Sequence, residues 1–435
     1  MRMPPASSGV ALSCRVVFIN RYFHPDHSAT SQILADLAFS LSRRGMAVRV
    51  ITSRQRYDDP SARLHSREMI HGVKVRRVAT TSFGRYSLPG RALDLLSFYV
   101  LACWTLFRTA RRGDIVVAMT DPPLLCVAAA PIARLRGFKL VNWIQDLYPE
   151  IAARLGMSGL NGPLGRILAA LRDRSFKRSA LNVAIGCDMA GRLRALGVAA
   201  QQIAVASNWT DDDQVVPQAE STLRGAWGLE GKFVVAYSGN LGRAHEVEAF
   251  LAAAELLKYR TDIEFVFIGG GQAMPSLAER LRTSGIPNVQ FRPYQPRQML
   301  SQSLAVADVH WLSLRADLDG LIVPSKFYGI AAAGRPMIVV SSPTMELALL
   351  VAKHDCGVCV AAGDGAAFAR AVADLARDAD RCRRMGQNAR RMLEEQFTKA
   401  AALDLWYDIL VRARDAPKAA SPRTGENAQM KLPAH

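Results

Sequence analysis

Residues 14–52, CRVVFINRYFHPDHSATSQILADLAFSLSRRGMAVRVIT, hold two short β-branched runs on either side of a longer amphipathic stretch. The runs at 14–20 and 47–52 are short and rich in β-branched residues, and read as strands buried in a parallel sheet. Between them, Ile33, Leu34, Leu37, Ala38 and Leu41 recur at helical spacing, which predicts a helix over 28–44. Ser28, Thr30 or Ser31 can cap its start, and Gly45 supplies a residue suited to its end. A strand, a helix and a second strand in this order make a βαβ unit.

The same alternation continues outward. Strands are predicted at 73–78, 114–118, 139–143 and 181–185, mostly with helical stretches between them. A second series follows at 233–237, 263–268, 289–292, 309–312 and 336–340, with helices over 247–258, 275–284 and 326–333. Alternation of this kind builds a doubly wound parallel α/β sheet, and the two series are of similar size. A chain of 435 residues is also long for one hydrophobic core and suits two. The expected division is an extension over 1–13, a first domain over 14–206, a second over 207–397, a closing helix over 398–416 and a disordered tail over 417–435. The polar, turn-rich segment Ser207-Asn208-Trp209-Thr210-Asp211 marks the joint. Residues 367–395 and 398–412 read as two closing helices.

Half of the residues are apolar and 21% are charged, which excludes collagenous and intrinsically disordered classes. The net charge of +17 is unevenly placed. Residues 1–210 hold 29 Lys/Arg against 12 Asp/Glu, and residues 211–435 hold 26 of each, so the first half carries all of the surplus. A basic half suits an anionic partner: a nucleic acid, an anionic lipid or a phosphorylated substrate. Seven cysteines at irregular spacing fit a reducing compartment. The single C-x-x-C, Cys356 to Cys359, lacks the second pair that a zinc site needs. No long apolar run follows Arg2, so no secretory signal is expected and the chain is placed in the cytoplasm.

Residues 93–107, LDLLSFYVLACWTLF, are apolar apart from Asp94 and a few hydroxyls, and arginines flank them at 85, 91, 108, 111 and 112. Fifteen helical residues rise about 22 Å, short of the roughly 30 Å hydrocarbon core. Two roles remain: a buried core helix, or a helix lying at a membrane surface with its arginines at the headgroups.

Three segments carry the chemistry. The strand at 233–237 runs into Ser238-Gly239-Asn240-Leu241-Gly242-Arg243, where glycines admit a ligand close to the backbone and Arg243 can neutralise a phosphate. Gly269-Gly270-Gly271 follows the next strand in the same topological position. Neither loop is a dinucleotide fingerprint, since Met274 stands where a third glycine is required, and no phosphate loop of the G-x-x-x-x-G-K-[S/T] kind occurs. The third segment, GLIVPSKFYGIAAAGRP over 320–336, starts a helix at Pro324 and Ser325 and places Lys326 in its first turn. A cation there opposes the helix dipole and reads either as the partner of a bound anion or as a solvated lysine, the first explaining it more easily.

These segments, in this order within two α/β halves, resemble the GT-B glycosyltransferases, and in particular family 4 in its bacterial exopolysaccharide, colanic acid type branch. Gln145-Asp146-Leu147-Tyr148-Pro149-Glu150 and the 207–211 joint, similar to the family's N-W-x-D hinge, extend the resemblance over about residues 14–412. It implies two tandem Rossmann-like domains with a cleft between them. It implies a GDP- or UDP-linked sugar whose diphosphate lies near Gly239, Asn240, Arg243, Ser325 and Lys326. The base and ribose would lie near Gly269, Gly270, Gly271 and the Arg292-Pro293-Tyr294 run. The acceptor, a polyprenyl-diphosphate-linked glycan at the inner face of the membrane, would meet His24, Asp26 and Asp146. Family members retain anomeric configuration and need no metal, and no other cofactor is implied. Lys326 and Arg243 would stabilise the departing diphosphate, and Asp146 would orient the acceptor hydroxyl or take its proton. Read locally, Asp146 can equally be a helix N-cap before Tyr148-Pro149.

The chain departs from the family pattern in places. The two signature glutamates fall on Leu321 and Gly329, the lysine that usually follows the arginine is absent where Glu246 and Glu248 stand, and the N-terminal Gly-Gly is replaced by Ser28-Ala29. Two further readings use other residues. A nucleotide-sugar epimerase on the same fold would rely on Asp308 and His310. A non-enzymatic nucleic-acid-binding protein would use the basic half, but no recognition motif supports it and no nucleic-acid partner is expected.

Overall fold

The computed structural model describes residues 14–57, 59, 61–83, 88–157, 159–218 and 221–416. The expected extension over 1–13 and the tail over 417–435 lie outside them. In chain order, the first eight strands are β1 (Val16–Ile19), β2 (Val48–Ser53), β3 (Arg67–Ile70), β4 (Val73–Val78), β5 (Ile115–Met119), β6 (Lys139–Ile144), β7 (Leu181–Ala184) and β8 (Ile203–Val205). The next six are β9 (Phe233–Asn240), β10 (Ile263–Gly270), β11 (Val289–Arg292), β12 (Val309–Ser313), β13 (Met337–Val340) and β14 (Gly357–Val360). They form an eight-stranded sheet in the order β3-β4-β2-β1-β5-β6-β7-β8 and a six-stranded sheet in the order β11-β10-β9-β12-β13-β14. Every pairing is parallel except β3 with β4.

The chain order explains both sheets. In the first, strands are added from β1 outward to β2 and β4, then the chain crosses to β5 on the other side of β1. The second sheet repeats this about β9. Ligands in such sheets bind beyond the carboxyl ends of the strands at the point where the winding reverses. That point is β1/β5 in the first sheet and β9/β12 in the second.

Three strands depart from the sequence reading. β3 is an edge strand with alternately exposed residues, joined to β4 through His71 and Gly72 at φ 46° and 80°. Two successive positive φ values are the mark of a type I′ hairpin turn. β8 and β14 are only three and four residues long, too short for a periodicity to declare itself. The helix expected over 367–395 is two helices, Gly365–Arg377 and Ala379–Gln396. Asp378 breaks it by accepting a hydrogen bond from Arg381 N–H and starting the second. Ser28 sits at the N-cap of helix Ala29–Arg43 without a side-chain cap bond. Instead Asp26 Oδ1 accepts from Ser28 N–H at 2.8 Å, and Ser31 Oγ donates to Asp26 O at 3.2 Å.

The last helix, Lys399–Asp415, crosses back onto the first sheet. Its Trp406 is fully buried against Trp143 of β6, ring centroids 4.3 Å apart, and Trp143 stacks on Trp209 of the joint at 6.0 Å. The core of the second sheet is also aromatic, with Phe250 stacked on Trp311 at 5.1 Å. The apolar segment is a 22-residue helix, Leu88–Thr109, longer than the fifteen residues expected and long and apolar enough to cross a membrane, but one face of it is core: Phe98, Ala102 and Leu106 are wholly buried, whereas Val100 and Trp104 are more than half exposed.

Candidate functional site

The two sheets face each other across their carboxyl ends, and the closest backbone approach is at Asp146. This residue, just past β6, makes an antiparallel bridge with Ile322, and Leu147 N–H donates to Leu321 O at 2.9 Å. Four residues after Ile322 the chain begins the helix Lys326–Ala332. This contact joins the segment after β6 to the segment that leads into the Lys326 helix. Position is reinforced from the joint: Gln145 and Asn208 exchange side-chain amide hydrogen bonds at 3.0 and 2.8 Å. Asp146 does not cap the helix Glu150–Arg154, whose N-cap is Pro149, so the capping reading is set aside.

On the first sheet Asp146 has an acidic neighbour that the sequence reading did not single out. Asp121 follows β5, and its carbonyl accepts from Arg21 N–H, past the end of β1, at 2.7 Å. Burial, then the charge of Asp121, raises the Asp146 carboxyl from the usual carboxylate range to about 7. Burial likewise raises Asp121 to about 6, opposed by Arg21 and reinforced by Asp26. Two neighbouring carboxyls that ionise near neutrality are suited to exchanging a proton with a hydroxyl. Only their placement at the ends of adjacent strands joins them; an Asp-Pro-Pro in sequence gives no such signal.

His24 and Asp26 are both engaged by neighbours within the first domain. Both Asp26 carboxylate oxygens are engaged by backbone, Oδ1 by Ser28 N–H and Oδ2 by Tyr57 N–H. Asp26 thus clamps two loops, and its charge also reaches Asp121, the neighbour of Asp146. His24 is exposed and packs edge-on against Phe39 at 5.7 Å; Phe39 in turn meets His71 of the β3–β4 turn. Burial and the neighbouring charges of His71 and Arg77 lower its pKa. It thus groups with that hairpin rather than with Asp146.

On the second sheet the two glycine loops interlock. β9 and β10 are paired up to Gly239 with Gly269 and Asn240 with Gly270. Leu241 N–H then donates to Gly270 O at 2.7 Å, and Ala273 N–H to Leu241 O at 3.0 Å. A Cβ on Gly269 would stand 2.5 Å from Gly239 O, and one on Gly271 would stand 2.3 Å from Leu241 O. Both residues have strongly positive φ, so glycine is required twice over. Tyr294 lies over Gly269 and Gly270 with its ring more than half exposed, while Pro293 is exposed beside it. Arg292 turns away, its guanidinium over Trp227 at 5.3 Å and bonded to Gln290.

Lys326 is partly buried beneath the first loop. Its Nζ donates to Asn240 O at 3.0 Å and lies 4.9 Å from the Tyr237 ring centroid. Burial lowers its pKa to about 8. Beside it, His245 is held neutral near pH 7, its pKa lowered to about 4 by burial and then by Lys326 itself, with Nδ1 2.9 Å from Ser313 O. Ser325 occupies the N-cap with no side-chain cap bond and is exposed. Arg243 reaches across the cleft, where its Nη2 donates to Leu155 O in the first domain. Glu246 Oε1 accepts from Glu248 and Ala249 N–H, so the acidic pair in the usual lysine's place starts a helix. Leu321 is buried, and a Cβ at Gly329 would meet only Leu304 within 4 Å.

The residues of the epimerase reading are used elsewhere. His310 is fully buried with Nε2 2.9 Å from Leu304 O, and Asp308 Oδ2 takes Val234 N–H at 2.7 Å and Arg224 at 3.1 Å. Among the described residues, no group of three or more His, Cys, Asp or Glu side chains converges as a metal site.

Comparison with known proteins agrees with this architecture. Residues 29–209 match the family described as "Glycosyl transferase 4-like domain", and residues 232–378 match "Glycosyl transferases group 1". The chain is similar to the probable glycosyltransferase WbjE of Pseudomonas aeruginosa, 27% identical over 61% of this chain and 67% of the relative. It is also similar to the putative colanic acid biosynthesis glycosyl transferase WcaI of Escherichia coli K12, 27% identical over 75% and 83%. Among solved structures, Anabaena Alr3699/HepE in complex with UDP-glucose superposes with a TM-score of 0.68 at 15% identity, covering 91% of this chain and 99% of that one. With one family match on each sheet, and the two sheets meeting at the Asp146–Ile322 contact, the chain belongs to family 4 of the GT-B glycosyltransferases.

Proposed function

We propose that the chain transfers a sugar from a GDP- or UDP-linked donor to a polyprenyl-diphosphate-linked glycan during exopolysaccharide, capsule or O-antigen synthesis. The reaction retains anomeric configuration, needs no metal and takes place in the cytoplasm at the membrane's inner face. The observation that carries this reading is Lys326: an ammonium partly buried under a glycine loop and donating to Asn240 O, at the start of a helix. Relatives support it through what they are, a putative colanic acid transferase and a structure holding UDP-glucose.

The donor diphosphate lies along the Gly239–Asn240 loop and Ser325. As the bond between the anomeric carbon and the diphosphate oxygen breaks, its electron pair leaves with the diphosphate, whose added charge is met by Lys326 and the exposed N–H donors of Arg243. Diphosphate binding also restores full charge to Lys326, since an adjacent anion opposes the effect of burial. The acceptor hydroxyl forms the new bond on the same face of the sugar. Asp146 orients it and takes its proton, a task suited to a carboxyl that ionises near pH 7. Tyr294 offers an exposed ring over Gly269 and Gly270 for the base.

A thermal-shift screen against UDP, GDP, dTDP and their sugar conjugates, in EDTA, tests the reading. One nucleoside diphosphate is expected to raise the unfolding temperature without metal, because a ligand that binds only the native state stabilises it. A response that appears only on adding a divalent cation would contradict metal independence.

A further inference from the structure

The first domain carries an apolar outer surface that the transfer reaction does not use. On helix Leu88–Thr109, Leu93, Leu96, Val100, Trp104 and Phe107 recur at helical spacing and are 38–58% exposed, while the opposite face is core. The neighbouring helix Leu125–Arg136 adds Leu135, 74% exposed, and its Arg136 guanidinium lies over Phe107 at 5.4 Å. Beyond it, helix Pro163–Arg178 is held by Ser175 Oγ donating to Cys126 O at 3.0 Å, and it exposes Leu164, Ile167 and Leu171 at i, i+3 and i+7. Exposed apolar residues on each of three successively packed helices, the first two sharing a groove lined by Val100, Trp104, Phe107 and Ile132, are more than the scattered exposed leucine of an ordinary surface.

The charges around it have one sign. Arg91, Arg108, Arg111, Arg112, Arg134 and Arg166 are exposed on or beside these helices. The acids of the same three helices are withdrawn: Asp94 is buried and accepts from Thr81 and Phe83, and Asp173 is paired with Arg172. Arg108 folds over the Trp104 ring at 5.8 Å, an aromatic and a cation side by side at the edge of the stripe. Aliphatic side chains, an interfacial tryptophan and a collar of arginines without exposed acids match the lower, negatively charged leaflet boundary of a bilayer. A second copy of the chain would bring the same arginine collar against itself.

We infer that the joint outer face of helices Leu88–Thr109, Leu125–Arg136 and Pro163–Arg178 docks flat on an anionic bilayer, inserting Leu96, Trp104 and Ile167 to the acyl boundary without spanning it. This extends the reading of a lipid-linked acceptor by naming the surface that meets the membrane. The test is co-sedimentation of the full chain with vesicles of phosphatidylcholine, with and without phosphatidylglycerol, at low and high salt. Wild type is expected to bind only the anionic vesicles, less at high salt. Trp104→Ser combined with Ile167→Ser is expected to weaken binding by about tenfold or more while leaving the unfolding temperature and nucleotide thermal shift unchanged. Arg112→Gln with Arg134→Gln, at exposed positions, is expected to weaken it without changing the apolar side chains. Equal binding by wild type and both variants would overturn the inference. So would a concentration-dependent dimer that the serine variant abolishes, with no vesicle binding. Loss of nucleotide response with vesicle binding intact would instead count against the transferase reading alone.

Discussion

Asp146 combines two demands that conflict. Burial beside Asp121 raises its carboxyl to about 7, far above the ordinary range, so ionising it costs more in the fold than in the unfolded chain. Its contribution to stability is complete below the unfolded value near 4 and is lost as pH rises through about 7. Asp146→Asn is therefore expected to match wild type in unfolding temperature near pH 4 and to exceed it by a few degrees near pH 8. The same variant is expected to lose about 100-fold in kcat, together with the low-pH limb of the rate profile. Unfolding scans across pH and steady-state rates check both; a variant less stable than wild type at pH 8 would count against the burial argument. At this scale legibility varied. Lys326 stood out because a cation at a helix start is electrostatically out of place. Asp121 did not, because nothing near it in sequence marks it and only the adjacency of β5 and β6 brings it to Asp146. The clamp made by Asp26 was not legible either: one of its N–H partners, Ser28, is 2 residues away, but the other, Tyr57, is 31.

The element that organises the donor side is the pair of glycine loops. Leu241 donates to Gly270 O and accepts from Ala273 N–H, so each loop is the other's hydrogen-bonding partner. Gly271→Ala would put a Cβ 2.3 Å from Leu241 O at φ 130°, against backbone that has no side chain to move aside. A loss of about 1–3 kcal/mol in urea unfolding is expected, with donor affinity falling as the loop shifts. Full stability and unchanged affinity would show that the interlock is unimportant. Eleven of the strands were readable because β-branched runs buried on both faces are conspicuous. The strands β3, β8 and β14 were not: all three lie at sheet edges, β3 with alternately exposed residues and β8 and β14 without a flanking pattern to set them off. The division of the long closing helix depends on one side-chain cap at Asp378. Helix Leu88–Thr109 answered to both sequence readings because its two faces differ, which a count of apolar residues does not resolve.

Across the whole molecule, charge and chemistry are divided between two domains. The basic first domain holds the carboxyl pair and the arginine-collared helices; the neutral second domain holds the glycine loops and Lys326. Contacts across the cleft hold them together: Arg243 to Leu155 O, Arg192 Nε to Asp319 O at 2.7 Å, and a reciprocal exchange in which Glu346 Oε2 accepts from Cys187 N–H and Asp188 Oδ2 accepts from Glu346 N–H. The tandem arrangement was legible from the repeated alternation of strands and helices. The cleft contacts were not, since they pair residues more than 85 positions apart, and the return of helix Lys399–Asp415 to the first sheet has no local signal. The central claim is that Lys326 holds the donor diphosphate without a metal. Isothermal titration of UDP and of GDP into wild type and Lys326→Ala, both in EDTA, tests it most directly. Wild type is expected to bind one of the two nucleotides, and the alanine variant, still folded, to bind it about 100-fold more weakly, the loss expected when a charge-assisted contact to phosphate is removed. Equal affinity in the two proteins would contradict the account.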